Sequence, residues 1–231
     1  VAGNPYFIDL EILVQKGLLN KADLSANGNV SKRVDYGWLF GTRYAVLRRA
    51  FANFKPDKAY RAFVKKNAAW LTKYSLFMAL KGHYNHSPWT MWEEEHRDYR
   101  KAVMHSGEFE EEMAFWRWIQ YEFAAQWKDI VRHAHEKGIM LIGDMPIYVA
   151  TDSVEMWKYK KELFLLDSDG NPALVAGVPP DAFSDDGQLW GNPVYDYNEH
   201  KKDNFAWWVN RVKYALNLFD FVRIDHFRGL D

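Results

Sequence analysis

The chain has no cysteine among its 231 residues. Disulfides and thiolate chemistry are therefore excluded, and a cytoplasmic address fits. No block of one charge is present either: 30 Lys and Arg stand against 31 Asp and Glu, for a formal net charge of -1. That balance provides neither the basic stripe of a nucleic-acid binder nor a polybasic membrane patch, so neither partner is expected. Hydrophobic runs are short and broken by charge, which argues against a transmembrane segment. The opening Val1-Ala2-Gly3-Asn4-Pro5 lacks the basic and apolar regions of a secretory signal. Repeats of solenoid length and low-complexity tracts are also absent.

What the chain does have is rings: 11 Trp, 13 Tyr and 15 Phe, 17% of the sequence. Large rings dominate buried area in any domain, so most belong to the core, and a surplus could line a groove.

Asn4-Pro5 signals a turn, Tyr6 to Ile8 is a short apolar piece, and Asp9 to Gly17 reads as a helix with Asp9 as N-cap and Gly17 just past its end. Lys21 to Ser31 is polar and reads as a surface loop. Residues 35 to 105 look helical throughout, opened by an Asp35 cap and reopened at Pro56-Asp57, with apolar residues at three-and-four spacing. Ser87 to Arg100, with its run of Glu93, Glu94 and Glu95, reads as a solvated helical face. After the break at Gly107, the stripe Phe109, Met113, Trp116, Ile119, Phe123, Trp127, Val131 and Ala134 predicts a long amphipathic helix ending near Gly138.

Ile139 to Gly143 follows as a short apolar run of buried-strand type, ending in Asp144. The pairing recurs: Phe205, Trp208, Val209, Val212 and Leu216 form a helical stripe that feeds the strand-like Phe221 to Asp225. Two helix-then-strand units predict neighbouring parallel strands of a (β/α) barrel or of an open parallel sheet. Asp144 and Asp225 would then lie at the carboxyl edge, where both architectures keep their active sites. A period of two puts Phe221, Arg223 and Asp225 on one face. A structural ion pair would account for Arg223 and Asp225 as well as a reactive carboxylate would, since ion-pair networks also perturb carboxylates. Between the units, residues 164–176 suggest a small hairpin around Asp169-Gly170. Gly177 to Asn198 has no periodicity and reads as an ordered irregular loop over that edge.

Several long motifs carry a family resemblance: Asn4-Pro5 through Ile8-Asp9-Leu10-Glu11, Gly143-Asp144-Met145-Pro146-Ile147-Tyr148-Val149, Ala176-Gly177-Val178-Pro179-Pro180-Asp181, Gly187-Gln188-Leu189-Trp190-Gly191-Asn192-Pro193 and Val222-Arg223-Ile224-Asp225-His226-Phe227-Arg228-Gly229. In order and over nearly the whole chain, they resemble the 4-α-glucanotransferases known as amylomaltases or disproportionating enzymes, family 77 of the glycoside hydrolases in the α-amylase clan. The resemblance implies an α/β fold, part of a (β/α)8 TIM barrel with a large helical insertion and a loop-rich insertion between the third and fourth strands. It divides the chain into the start of the barrel region at 1–19, a helical insertion at 20–107, a barrel helix and third strand at 108–149, the loop-rich insertion at 150–199, and a barrel helix and fourth strand at 200–231.

By the same resemblance the protein is a cytoplasmic retaining glycosyltransferase of starch and maltodextrin metabolism that passes α-1,4-glucan segments between maltooligosaccharides, with no cofactor and no metal. Asp225 matches the nucleophile, and Arg223 matches the arginine that holds it ionised and oriented. Asp144 matches a substrate-binding aspartate, Asp181 and Trp190 match the loop walling the cleft, and His226 matches a position close to bound sugar. A guanidinium at short range favours the charged form of a carboxylate, as a retaining mechanism requires.

The acid/base Glu and a third Asp of the family lie downstream of Asp231, so the chain is expected to be an internal fragment, inactive alone. Ala182 replaces a Tyr that contacts acceptor sugars in many members, and Asp185-Asp186 makes the loop tip more acidic, which bears on acceptor preference. The alternatives are a hydrolase of the same clan, or a non-catalytic glucan-binding fragment.

Overall fold

The structure is a computed structural model that describes residues 2–25 and 33–230. In chain order the helices and strands are α1 (Leu10–Gln15), α2 (Lys21–Ser25), α3 (Tyr36–Asn53), α4 (Lys58–His83), α5 (Glu94–Arg97), α6 (Tyr99–Met104), α7 (Glu110–Glu136), β1 (Ile142–Met145), α8 (Val154–Leu163), β2 (Val175–Val178), β3 (Gln188–Pro193), α9 (Tyr197–Lys202), α10 (Ala206–Leu216) and β4 (Phe221–Ile224). No helix of the described residues is long and apolar enough to cross a membrane.

Aspartate caps start the helices where the sequence put them. Asp9 Oδ1 accepts from the Glu11 N–H at 2.8 Å and Asp35 Oδ1 from the Trp38 N–H at 2.9 Å, each satisfying an otherwise orphaned donor. Helix α7 is closed just past its end by Gly138, which takes φ +72. The Ile139 N–H bonds Ala134 O and the Gly138 N–H bonds His135 O, so the last carbonyls are closed by a Schellman motif that favours glycine there.

The chain divides into two compact units. One comprises residues 2–79 and 109–130. Its core joins Ile8, Leu10 and Leu13 to Val46, Leu47 and Ala50 of α3 and to Phe115, Trp118 and Ile119 of α7. Two buried glutamines of α7 hold the N-terminal segment: Gln120 receives the Gly3 N–H at 2.7 Å and donates to Gly3 O at 2.9 Å, and Gln126 receives the Asp9 N–H at 2.7 Å. Glu122, at 1% side-chain exposure, is met by Lys16 Nζ at 2.6 Å.

The other unit comprises residues 80–108 and 131–231. Here β1 and β4 pair in parallel, with Ile142 opposite Phe221 and Asp144 opposite Arg223. Strands β2 and β3 pair antiparallel with an irregularity between Val175 and Gly177. Gly143 is required by close approach, because a Cβ there would lie 2.2 Å from the Phe219 ring.

The expectation of a (β/α)8 barrel is corrected. Among the described residues there are four strands in two separate two-stranded sheets, β1-β4 and β2-β3. A barrel needs a closed ring of hydrogen-bonded strands, which two ribbons do not form. The buried-strand reading of Ile139 to Gly143 also fails: Ile139 and Met140 precede the strand and are half exposed, and Ile142 is 70% exposed. Among the described residues β1 and β4 pair only with each other, and Ile142 and Phe221 stand exposed on one face of the pair.

The smaller differences are local. Lys21–Ser25 is helical, its first turn closed by Asp23 Oδ2 accepting the Asn20 N–H, while residues 26–31 of the expected loop lie outside the described residues. The stretch from Ser87 to Arg100 buries Trp89 and Trp92 ahead of its acidic run and His96 behind it. Gly177 to Asn198 is not irregular throughout, since β3 lies within it. The hairpin around Asp169-Gly170 is present in short form: Leu166 bridges Pro172 antiparallel, and the Asp167 N–H bonds Asn171 O and the Ala173 N–H bonds Leu165 O at 2.9 Å each.

Candidate active site

The parallel register sets Asp144 and Arg223 side by side on the open face of β1 and β4. Alternation then returns Asp225 to the same face two residues on, and its N–H extends the ladder by bonding Met145 O at 3.1 Å. The Arg223 fork grips both carboxylates: Nη1 donates to Asp144 Oδ2 and Nη2 to Asp225 Oδ1, each at 2.6 Å. Side-chain exposures of 61% for Arg223, 59% for Asp144 and 51% for Asp225 place the triad at an open surface, not in a buried strand. Each carboxylate keeps its second oxygen outside the fork. The period-two reading of Phe221, Arg223 and Asp225 agrees with this alternation, in which all three are exposed.

His226 follows with φ 51, in the left-handed region. Its ring meets Trp190 edge-on at 4.9 Å between centroids and 85° between planes. Trp190 belongs to β3, is 37% exposed, and donates its indole N–H to Gln188 Oε1 at 3.1 Å. Asp181 is not drawn into this group. Its Oδ1 accepts the Phe183 and Ser184 N–H groups at 2.8 and 3.0 Å, closing its own turn, with Phe183 exposed at the tip.

Residues that sequence patterns do not single out hold the segment leaving β1. Buried Arg211 donates through Nη1 to Ile147 O at 2.8 Å and through Nη2 to Pro146 O. Its guanidinium lies 5.1 Å from the Trp207 ring and 5.3 Å from Trp208, and burial lowers its pKa. The Tyr195 hydroxyl also donates to Ile147 O, at 2.9 Å. Tyr197 donates to Gly229 O at 2.7 Å, and burial pushes its pKa up to about 12, so the phenol remains a donor at neutral pH. One signal does exist: Arg211 lies three residues after Trp208 on the apolar stripe of α10, where an arginine needs a buried partner.

Among the described residues no group of three or more His, Asp or Glu is placed to hold a metal ion. The arrangement offers two exposed carboxylates held on one guanidinium, each with an oxygen outside the fork. An oriented carboxylate of this kind can act as a nucleophile at an electrophilic carbon.

A family model described as 4-alpha-glucanotransferase matches residues 1–231. The chain is 44% identical to the 4-alpha-glucanotransferase of Clostridium butyricum and 43% to that of Thermus thermophilus, in each case over 100% of this chain and 48% and 47% of the relative. It thus spans about half the length of the curated relatives it matches. Among solved structures, the amylomaltase from Streptococcus agalactiae in complex with acarbose superposes with a TM-score of 0.89 at 38% identity, covering 99% of this chain and 48% of that one.

Proposed function

The chain belongs to the 4-alpha-glucanotransferase family, and from that membership we propose that the whole protein moves α-1,4-glucan segments between maltooligosaccharides by a retaining double displacement. Asp225 is the nucleophile. With Oδ1 held by Arg223, Oδ2 attacks the anomeric carbon, and a glycosyl ester forms as the glycosidic C–O bond breaks. The departing oxygen takes its proton from a carboxylic acid about 5 to 5.5 Å from the nucleophile. The family pattern puts that acid downstream of the Val222 to Gly229 motif. In the second half, the acceptor's 4-hydroxyl gives its proton to the same group and attacks the ester, which frees Asp225.

Arg223 orients the nucleophile and offsets its charge. Asp144, with Oδ1 outside the fork, binds hydroxyls of the sugar whose bond is cut. His226 stands close to that sugar, and Trp190 with the Asp181 turn walls the acceptor side of the cleft. The observation that carries this reading is the single guanidinium bridging Asp144 and Asp225. A fluorinated glucosyl donor should trap the intermediate on Asp225, read by sequencing the labelled peptide; a label on another residue overturns the assignment. Maltotriose separates transfer from the hydrolytic alternative, because transfer yields glucose plus longer oligomers whereas hydrolysis yields only shorter sugars.

A further inference from the structure

Trp190 is 37% exposed and its ring meets those of Tyr148 and His226 at 6.2 and 4.9 Å between centroids. Among the described residues its strand β3 pairs only with β2, and the neighbouring Leu189 is 80% exposed, so the backbone that carries the indole depends on further ties. Two hydrogen bonds to the segment after β1 supply them. Thr151 Oγ1 donates to Gly191 O at 3.2 Å, and Asn192 Nδ2 donates to Val149 O at 2.8 Å. Gly191 follows Trp190 directly and turns at φ +74.

The segment holding Thr151 is itself anchored. Trp89, 6% exposed, donates its indole N–H to Thr151 O at 2.9 Å and its backbone N–H to Asp152 Oδ1 at 3.1 Å. Lys81 Nζ donates to Asp152 Oδ2 at 2.6 Å and to His86 O and Ser87 O at 2.8 Å each, which uses all three ammonium protons.

We infer that Lys81, Asp152 and Thr151 form a strap that sets the position of Trp190, and that Thr151 is a positioning residue for the acceptor side of the reaction. The inference rests on the proposed glucanotransferase activity. A wall held against His226 excludes water from the glycosyl ester and gives the acceptor a surface to bind; a released wall admits water. One hydroxyl-to-carbonyl bond shifts such an equilibrium by roughly two- to tenfold.

The test uses the full-length protein with maltotriose as donor and glucose as acceptor. Thr151→Val should lower the ratio of transfer to hydrolysis and raise the acceptor KM, each by roughly two- to tenfold, with the trapping rate at Asp225 unchanged. Thr151→Ser should restore wild-type behaviour. A wild type that forms no longer oligomers refutes the activity itself. A transferring wild type with Thr151→Val unchanged in partition and acceptor KM refutes the strap, even if its melting temperature falls. Should Thr151→Val fail to fold, Asp152→Asn takes its place: an altered partition supports the strap and an unaltered one refutes it.

Discussion

Replacing Arg223 by lysine should separate what the triad does for chemistry from what it does for folding. The fork spans two carboxylates at 2.6 Å each, and a single ammonium on a flexible stem does not reproduce that planar, two-pronged grip. All three side chains are more than half exposed, so each pair contributes only about 0.2 to 1 kcal/mol to stability. Losing both would lower stability by at most about 2 kcal/mol, or a melting-temperature drop of less than about 8 °C. The consequence for reaction is larger, because a nucleophile displaced by about 1 Å loses roughly a hundredfold in rate. Trapping kinetics with the fluorinated donor, kcat/KM for maltotriose and differential scanning calorimetry on the same full-length preparations give the comparison. The reasoning fails if activity stays within about tenfold of wild type, or if the melting temperature falls by more than about 15 °C, which would make Arg223 chiefly a folding residue.

Two further perturbations address the scaffold. Lys16→Met leaves the Glu122 carboxylate, 1% exposed, without its ammonium; urea unfolding should show a loss of about 2 to 4 kcal/mol, largely recovered by adding Glu122→Gln, and a single variant as stable as wild type contradicts this. Asp220 accepts the Leu141 N–H at 2.8 Å and meets His135, contacts that hold its carboxyl below its ordinary value of 3.8, the backbone bond most of all. A depressed acid contributes stability above its unfolded pKa and loses it as pH falls through the folded one. Stability of the wild type should therefore fall below about pH 4 more steeply than that of Asp220→Asn, and parallel pH profiles would rule the contribution out.

Local signals carried most of the helical reading. Asp9 and Asp35 act through their own next few residues, as does the Gly138 turn, so neighbours in sequence suffice to find them. The parallel pairing of β1 with β4 was legible because two helix-to-strand transitions repeat, and the Arg223 and Asp225 face because a strand alternates. The expectation of a closed barrel came from the resemblance and failed, since an apolar run such as Ile139 to Ile142 says nothing about how many strands surround it. Strand β3 was hidden because Gln188 to Pro193 lies beyond a glycine turn and mixes polar, aromatic and proline residues. Lys81 and Thr151 were invisible for a different reason. Their partners lie 71 and 40 residues away in sequence, and the acceptor of Thr151 is a backbone carbonyl, which no side-chain pattern announces.

The φ of 51 at His226 sets two demands on one position against each other. A side chain there stands about 1 kcal/mol or more above glycine in backbone energy, yet glycine has no ring to offer Trp190. Thermal tolerance and the proposed sugar contact therefore favour different amino acids next to the proposed nucleophile. An engineer who hardens this turn would do so by giving up the imidazole.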